Sequence, residues 1–366
     1  MSKIDKKSKF LELEGVRVTY RPKDDTIHVT SKDQDLQGEG FNLTLKNGTP
    51  SEDALRKLLI KKGLIKTELL SQQAFPKIAP YVFSTDTSNE AWSKIPVGVT
   101  SDGSPYVWDI GRNSHLLLGG ATGGGKSVLQ RSIFNHCVAH SNKWRFIGID
   151  LKGVELKPYA KYTKTVLSIG TTLQSAIESI RITKSIMENR YTLMEKAGVN
   201  YFTGLVDPST GSPYPAIMLM IDEAYLLLNL EGNKDEDGIA RDQMHIEAAF
   251  LLNSIAQLGR AAGVHMAIAT YRPDATIMKS DFKNNLTLRI AMGRMTSTPS
   301  YMILDNEKAT TIPNHVGRGY AISNGDASDF QAYYAAYDVL DEHIIRNPLL
   351  DPKRYAQLVS SPNYSE

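Results

Sequence analysis

The chain has 366 residues, 41% of them hydrophobic and 22% charged, with a net charge of +2 and a single cysteine. This is the composition of a soluble globular protein long enough for one large domain and a small one. No apolar run reaches the length of a membrane-spanning helix, one thiol cannot form an internal disulfide framework, and a nearly balanced charge confines any basic nucleic-acid surface to a local patch.

Residues 1–9 are Lys-rich and read as a loose tail, either solvated or touching DNA or a membrane surface. No apolar stretch follows them, so they are not a secretory signal and the chain reads as cytoplasmic. Short alternating runs predict strands at Phe10–Leu13, Val16–Tyr20, Thr26–Thr30 and Phe41–Leu45. Ser51-Glu52-Asp53 opens a helix to about Lys62, with its acids in the first turn. Together these predict a small α/β domain over 10–70. A linker rich in Pro, Ser and Thr follows over 71–94.

The larger domain spans 95–340, before a polar segment over 341–366. Apolar runs bounded by turn signals predict buried strands at His115–Leu118, Arg145–Asp150, Ala216–Ile221, Val264–Ala269 and Thr287–Met292. Helical patterns lie between most of them, which is the signature of a mainly parallel, doubly wound sheet. The clearest helix is 172–197, where Ile177, Ile180, Met187, Tyr191 and Met194 share one face. A second helix is predicted over about 243–262, with Arg260 near its C-terminal end. Before it, Asn229 to Gln243 reads as a long acidic loop. Two further β-rich stretches, Gly319–Ile322 and Gln331–Ala336, follow. Cys137 lies on the helix predicted over Val128–Ala139 and reads as a buried core thiol rather than a nucleophile.

Three elements carry chemistry. Gly120-Ala121-Thr122-Gly123-Gly124-Gly125-Lys126-Ser127 fits the phosphate-binding pattern G-x-x-x-x-G-K-[ST], between an apolar strand and a helix beginning near Val128. Its glycines let backbone N–H groups converge on phosphate oxygens, Lys126 reaches the β- and γ-phosphates, and the Ser127 hydroxyl can hold Mg²⁺. Second, the apolar strand Ile217–Ile221 ends in Asp222-Glu223. Asp222 would hold Mg²⁺ through a water and Glu223 would polarise the attacking water. Lys126, Asp222 and Glu223 together point to ATP hydrolysis rather than binding alone. Third, Ala269-Thr270-Tyr271-Arg272-Pro273 ends the next strand. Thr270 could sense the γ-phosphate, or the segment could be a strand-ending turn.

Five stretches in order resemble the motor domain of the FtsK/SpoIIIE family of double-stranded DNA translocases. They are Ile95–Gly98 leading to the phosphate loop; Ile149-Asp150-Leu151-Lys152 with Glu155-Leu156; Met187–Met194; Ile221-Asp222-Glu223; and Gln257–His265 running into Ala269–Pro273. The resemblance covers about residues 95–335. It implies a RecA-like P-loop ATPase that uses ATP and Mg²⁺ and assembles as a ring, a hexamer on the family's pattern, around double-stranded DNA. Arg260 matches the family's arginine finger, which acts on the neighbouring subunit's γ-phosphate; on its residues alone it reads as a helix C-terminal cation. Arg272, Lys279 and Lys283 match a pore loop and Arg294 lies near a second, where basic residues suit phosphate tracking; solvated charged loops would look the same.

Tyr271 stands where the family usually has Gln, and Leu151 where it usually has Pro. With no predicted membrane insertion and no room for the family's winged-helix domain, the chain resembles compact translocases of plasmids and integrative elements. The expected function is ATP-driven double-stranded DNA translocation in mobile-element transfer or handling. The alternatives are a secretion-type motor moving protein, and a nucleotide-dependent adaptor ring that recruits a relaxase or replication initiator.

Overall fold

The computed structural model describes residues 11–13, 16–21, 26–31, 41–44, 75–76, 79–81, 91–120, 122–230, 236–271 and 279–335. Contacts divide the chain into two compact units, Met1–Phe75 and Pro76–Glu366. In the first, β1 (Leu11–Leu13), β2 (Val16–Arg21), β3 (Thr26–Ser31) and β4 (Phe41–Thr44) form an antiparallel sheet in sequence order. The four strands fall where the alternating runs predict them. The helix expected over 51–62 lies outside the described residues.

The second unit contains β5 (Ala79–Pro80), β6 (Lys94–Val99), β7 (Pro105–Asp109), β8 (His115–Gly120), β9 (Trp144–Ile149), β10 (Val166–Gly170), β11 (Val206–Asp207), β12 (Ser212–Pro213), β13 (Ala216–Ile221), β14 (Val264–Thr270), β15 (Leu288–Met292), β16 (Arg318–Ser323) and β17 (Asp326–Tyr334). Its helices are α1 (Lys126–Ala139), α2 (Leu173–Ala197), α3 (Ala224–Leu228), α4 (Glu236–Leu258), α5 (Ser280–Asn285) and α6 (Ser297–Leu304). The main sheet runs β10-β9-β13-β14-β8-β15-β16-β17-β6-β7, with β5 beside β17. From β10 to β15 every pairing is parallel; from β15 to β7 every pairing is antiparallel. β14 therefore separates β8, which leads into the phosphate loop, from β13, which leads into Asp222-Glu223.

Alternation along the central strands feeds two cores, one on each face. Leu117, Ile147, Ile149, Ile217, Leu219, Ile221, Met266 and Ile268 point to one face and meet α2, α4 and α6. Leu116, Leu118, Phe146, Met218, Met220, Ala267, Leu288 and Ile290 point to the other and meet Leu129, Ile133 and Phe134 of α1. A sheet covered on both faces explains why these strands read as continuous apolar runs. On α2, Ile177, Ile180, Met187 and Met194 are buried as their spacing predicts, and the half-buried Tyr191 donates its hydroxyl to Leu258 C=O at 2.7 Å. A capping box between Thr172 and Ser175 starts this helix, and Gly198 ends it at φ 66°.

Two regions differ from the sequence reading. α4 begins at Glu236 rather than near 243 and ends at Leu258, so much of the expected acidic loop is helix and Arg260 stands in the turn beyond it. Glu236 and Asp237 occupy the first turn, where acids oppose the helix dipole. The expected linker over 71–94 is partly built into the second unit. Its aromatic and amide groups supply sheet and core contacts: Tyr81 N–H donates to Tyr334 C=O at 3.0 Å, and Trp92 C=O accepts from Trp144 Nε1 at 2.9 Å. Cys137 is buried, and burial pushes its thiol pKa up, which suits a core role. Among the described residues no helix is long and apolar enough to cross a membrane.

Candidate active site

β8 is buried at all six positions, so the loop after it leaves the sheet at a defined place. Gly123 and Gly125 have φ of 79° and 106°, in the left-handed region that glycine tolerates and branched residues do not. Such turns aim successive N–H groups into one concavity. α1 begins at Lys126 with no side-chain cap, leaving its first N–H groups open to an anion. Thr122 and Gly123 are exposed at the tip, Gly124, Gly125, Lys126, Ser127 and Val128 are half-buried, and Gly120 is the buried last residue of β8. Ala121 lies outside the described residues.

The loop is braced from the far end of the chain. Gly317 N–H donates to Gly124 C=O at 3.2 Å, and Gly317 Cα would be 3.2 Å from a Cβ on Gly125. Gly317 itself has φ 82°, and a Cβ there would lie 2.5 Å from Gln331 Nε2. Gly293 N–H donates to Arg318 C=O at 2.7 Å, fixing the neighbouring loop. Neither Gly293 nor Gly317 was marked by the sequence, because each acts through a tertiary contact with no local motif.

The acidic element stands across β14. Asp222 N–H donates to Ile149 C=O at 3.0 Å, carrying the β9–β13 ladder one step past the strand. The Glu223 carboxylate is buried and has three partners: Lys126 Nζ at 3.8 Å, Lys152 Nζ at 3.7 Å and the Tyr271 N–H at 3.1 Å. Both ammonium groups also lie 5.9 Å from the centre of the Tyr271 ring. Lys152 is a site residue that the sequence reading left unassigned, although it lay inside one of the family-like stretches. Its loop is held by the buried Asp150 carboxylate, which accepts from the N–H groups of Gly153 (2.9 Å), Leu156 (2.8 Å) and Lys157 (3.2 Å). Thr270, paired with Gly119 at the end of β14, is fully buried beside this cluster.

Burial holds the Lys126 ammonium below the usual lysine range, opposed by Glu223 and Asp222. Burial, then the Asp150 carboxylate, raises Asp222 to about 6, with Lys152 opposing and Glu155 and Glu223 adding to the rise. The phosphate cradle is therefore lined by excess negative charge on its β13 side. A divalent cation would relieve that charge. Among the described residues no cluster of three or more acidic, His or Cys side chains forms a cage of its own. Mg²⁺ shared with phosphate oxygens and water needs none.

Arg260 is elsewhere. It is exposed, and its Nη2 donates to Gly111 C=O at 2.7 Å. Gly111 precedes β8 and the phosphate loop follows it, so the six-residue strand puts them about 20 Å apart. An arginine side chain cannot span that distance to its own chain's cradle. Three of the four basic residues matched to DNA-contacting loops lie among the described residues. Lys279 is exposed just before α5. Lys283 forms an ion pair with Asp305, which Arg289 shares. Arg294 is exposed and donates from Nε to Ile312 C=O at 3.0 Å. Arg272 lies outside the described residues.

The model of the FtsK/SpoIIIE family matches residues 82–275, more than half of the chain. The chain belongs to the FtsK/SpoIIIE family. The DNA translocase FtsK of Streptococcus agalactiae serotype V (strain ATCC BAA-611 / 2603 V/R) is 30% identical over 246 residues, 64% of this chain and 28% of that one. The DNA translocase FtsK of Lactococcus lactis subsp. cremoris (strain MG1363) is 30% identical over 237 residues, 62% of this chain and 29% of that one. The match thus spans less than a third of the length of these relatives. Among solved structures, the pCW3 conjugation coupling protein TcpA, monomer form with ATPγS, is similar with a TM-score of 0.65 at 22% identity, covering 96% of this chain and 93% of that one. The cytoplasmic domain of the Thermomonospora curvata type VII secretion ATPase EccC is similar with a TM-score of 0.57 at 22% identity, covering 74% and 32%. These structural likenesses are likenesses of fold. Family and fold together make the protein a P-loop ATPase.

Proposed function

We propose that this chain is an ATP-driven motor for double-stranded DNA that works as a ring-shaped homo-oligomer, a hexamer on the family's pattern, in the transfer or handling of plasmid or other mobile DNA. In this reading the loop from Gly120 to Val128 cradles the triphosphate. Lys126 turns from Glu223 to the β- and γ-phosphates, freeing the carboxylate to orient the attacking water. Ser127 and Asp222 hold Mg²⁺, which when bound neutralises charge on the phosphate oxygens. Thr270 senses the γ-phosphate. The observation that carries the reading is the Lys126–Glu223 pair, 3.8 Å apart beside Asp222: an ammonium suited to bind phosphate next to a buried carboxylate suited to polarise water.

The position of Arg260 supports the ring. A finger at the N-terminal ends of the central strands and a cradle at their C-terminal ends would form a head-to-tail contact, and such contacts close into rings when the rotation allows. A guanidinium delivered this way stabilises transition-state charge and couples hydrolysis to the neighbour's movement. Arg272, Lys279, Lys283 and Arg294 would track DNA phosphates without reading bases. The whole-length likeness to a conjugation coupling protein supports the mobile-DNA setting, in which a relaxase or replication initiator would be the partner.

The test is steady-state ATPase activity with and without linear duplex DNA. Duplex DNA should stimulate turnover, and Lys126→Ala should abolish both basal and stimulated rates. No stimulation by any DNA would defeat the motor reading, and function in cells that survives Glu223→Gln would favour an adaptor ring.

A further inference from the structure

The strand order sets a direction across the phosphate loop. Counting from β8, the Asp222–Glu223 end of β13 lies beyond β14 on one side, and the turn before β16 lies beyond β15 on the other. Lys126 Nζ, 3.8 Å from Glu223, marks the first side as that of the terminal phosphate. A triphosphate is a linear chain, so its nucleoside leaves the loop toward the second side.

There, residues 313–318 form a turn pinned on every side. His315 N–H donates to Pro313 C=O at 2.7 Å, Arg318 N–H to His315 C=O at 3.1 Å, and Ala332 N–H to Gly317 C=O at 2.7 Å. Gln331 Nε2 donates to Val316 C=O at 3.1 Å. Gly317 N–H ties the turn to the phosphate loop at Gly124 C=O, 3.2 Å away. This fixed backbone presents three consecutive exposed residues, Asn314, His315 and Val316. Val316 is 73% exposed, the highest value among the exposed large hydrophobics of the described residues. Ordered backbone that keeps a branched apolar side chain in water, one residue from the phosphate loop's brace, is a surface prepared for a flat apolar ligand.

Building on the ATPase reading above, we propose that His315 and Val316 form the platform for the base of the bound nucleoside triphosphate. Val316 supplies apolar contact and the His315 ring a stacking face. The carbonyls of His315, Val316 and Gly317 each already accept a hydrogen bond within the protein. The platform acts by packing rather than by reading the base's edge, so it takes purines generally and separates ATP from GTP weakly.

The test compares a ligand that has a base with one that lacks it, using the full chain. Val316→Asp should raise the KM for ATP about tenfold, the effect of losing one valine-sized apolar contact. Inhibition by inorganic tripolyphosphate should stay within about twofold of the unsubstituted protein, and GTP should be hydrolysed with a KM within about fivefold of that for ATP. Val316→Ser, milder and on the same exposed site, should shift the ATP KM in the same direction. An unchanged ATP KM overturns the platform, as does an equal shift for ATP and tripolyphosphate, which would mean a distorted phosphate loop. A change in oligomeric mass with no change in KM also overturns it and makes the turn a subunit contact. If Lys126→Ala leaves ATP hydrolysis intact, the ATPase reading fails and the platform with it; if Lys126→Ala abolishes hydrolysis while Val316→Asp does nothing, only the platform fails.

Discussion

Gly317→Ala tests how the phosphate loop is held. Gly317 combines a φ of 82° with a position where a Cβ would meet Gln331 Nε2 at 2.5 Å. The backbone term is about 1–2 kcal/mol for an L-residue forced into left-handed space. Displacing Gln331 breaks its hydrogen bond to Val316 C=O, adding about 1 kcal/mol. The sum is about 2–3 kcal/mol, and the moving turn also carries away the N–H that braces Gly124. Gly211→Ala is the matched control, because Gly211 has φ 66° with nothing within 4 Å of its missing Cβ. It should show only the backbone term, about 1–2 kcal/mol. Urea denaturation gives the stabilities, and ATP titration of initial rates gives the KM. Gly317→Ala should be the less stable of the two and should raise the ATP KM about tenfold, equivalent to about 1.4 kcal/mol; Gly211→Ala should leave KM unchanged. Equal stabilities and equal KM values in the two variants would refute the bracing argument.

Three other outcomes follow from the site and the core. Glu223→Gln keeps the side-chain shape and the acceptor for Tyr271 N–H, so ATP binding by fluorescence titration should persist while turnover falls about 10²–10⁴-fold; turnover within tenfold of the unsubstituted protein would remove Glu223 from water activation. Lys152→Met removes one of the two cations 3.7–3.8 Å from Glu223. It should lower kcat more than it changes KM, with Lys152→Arg restoring most of the rate; a pure KM effect would place Lys152 on the nucleotide instead. Burial depresses His115 to about 3, with the adjacent His265 imidazole adding to the shift, and depresses His265 to about 4, where the Ser114 hydrogen bond opposes it and Arg190 and Arg260 add to it, so both stay neutral in the folded chain. Their unfolded forms gain protons below about 6.5. The unfolded state then binds more protons, and stability falls as pH drops from about 6.5 toward 4, by up to about 1.4 kcal/mol per pH unit for each histidine. Denaturation midpoints should decline over that window and decline less steeply in His265→Gln; identical midpoints at pH 7 and pH 5 would contradict the burial argument.

Much of this molecule was legible because its central strands are buried on both faces. Runs such as Leu116–Leu118 and Ile217–Ile221 need no partner to be recognised, and Gly120–Ser127 and Asp222-Glu223 stand at their ends. The start of α4 was hidden for the opposite reason. Between Glu236 and Gln243 only Gly238 is buried, so no core-facing stripe marks the helix. Its exposed Ile239, Ile246 and Phe250 fall out of step with the buried His245, Ala248, Leu252 and Ile255. Gly293, Gly317 and Lys152 reach the site through loops that only the folded sheet brings together. The placement of Arg260 at the N-terminal ends of the central strands, away from its own cradle, likewise depends on strand direction rather than on any local pattern.

That placement gives the most direct test of the central claim, that one chain's cradle is completed by its neighbour's arginine. Lys126→Ala and Arg260→Ala proteins are prepared separately, mixed in equal amounts, and assayed for ATPase activity with duplex DNA. Each alone should be inactive. In the mixture, a cradle from the Arg260→Ala chain meets an intact arginine from the Lys126→Ala chain, and random pairing at head-to-tail contacts should restore about a quarter of the unsubstituted rate. A fully active Arg260→Ala protein, or a mixture as inactive as its components, would contradict the account.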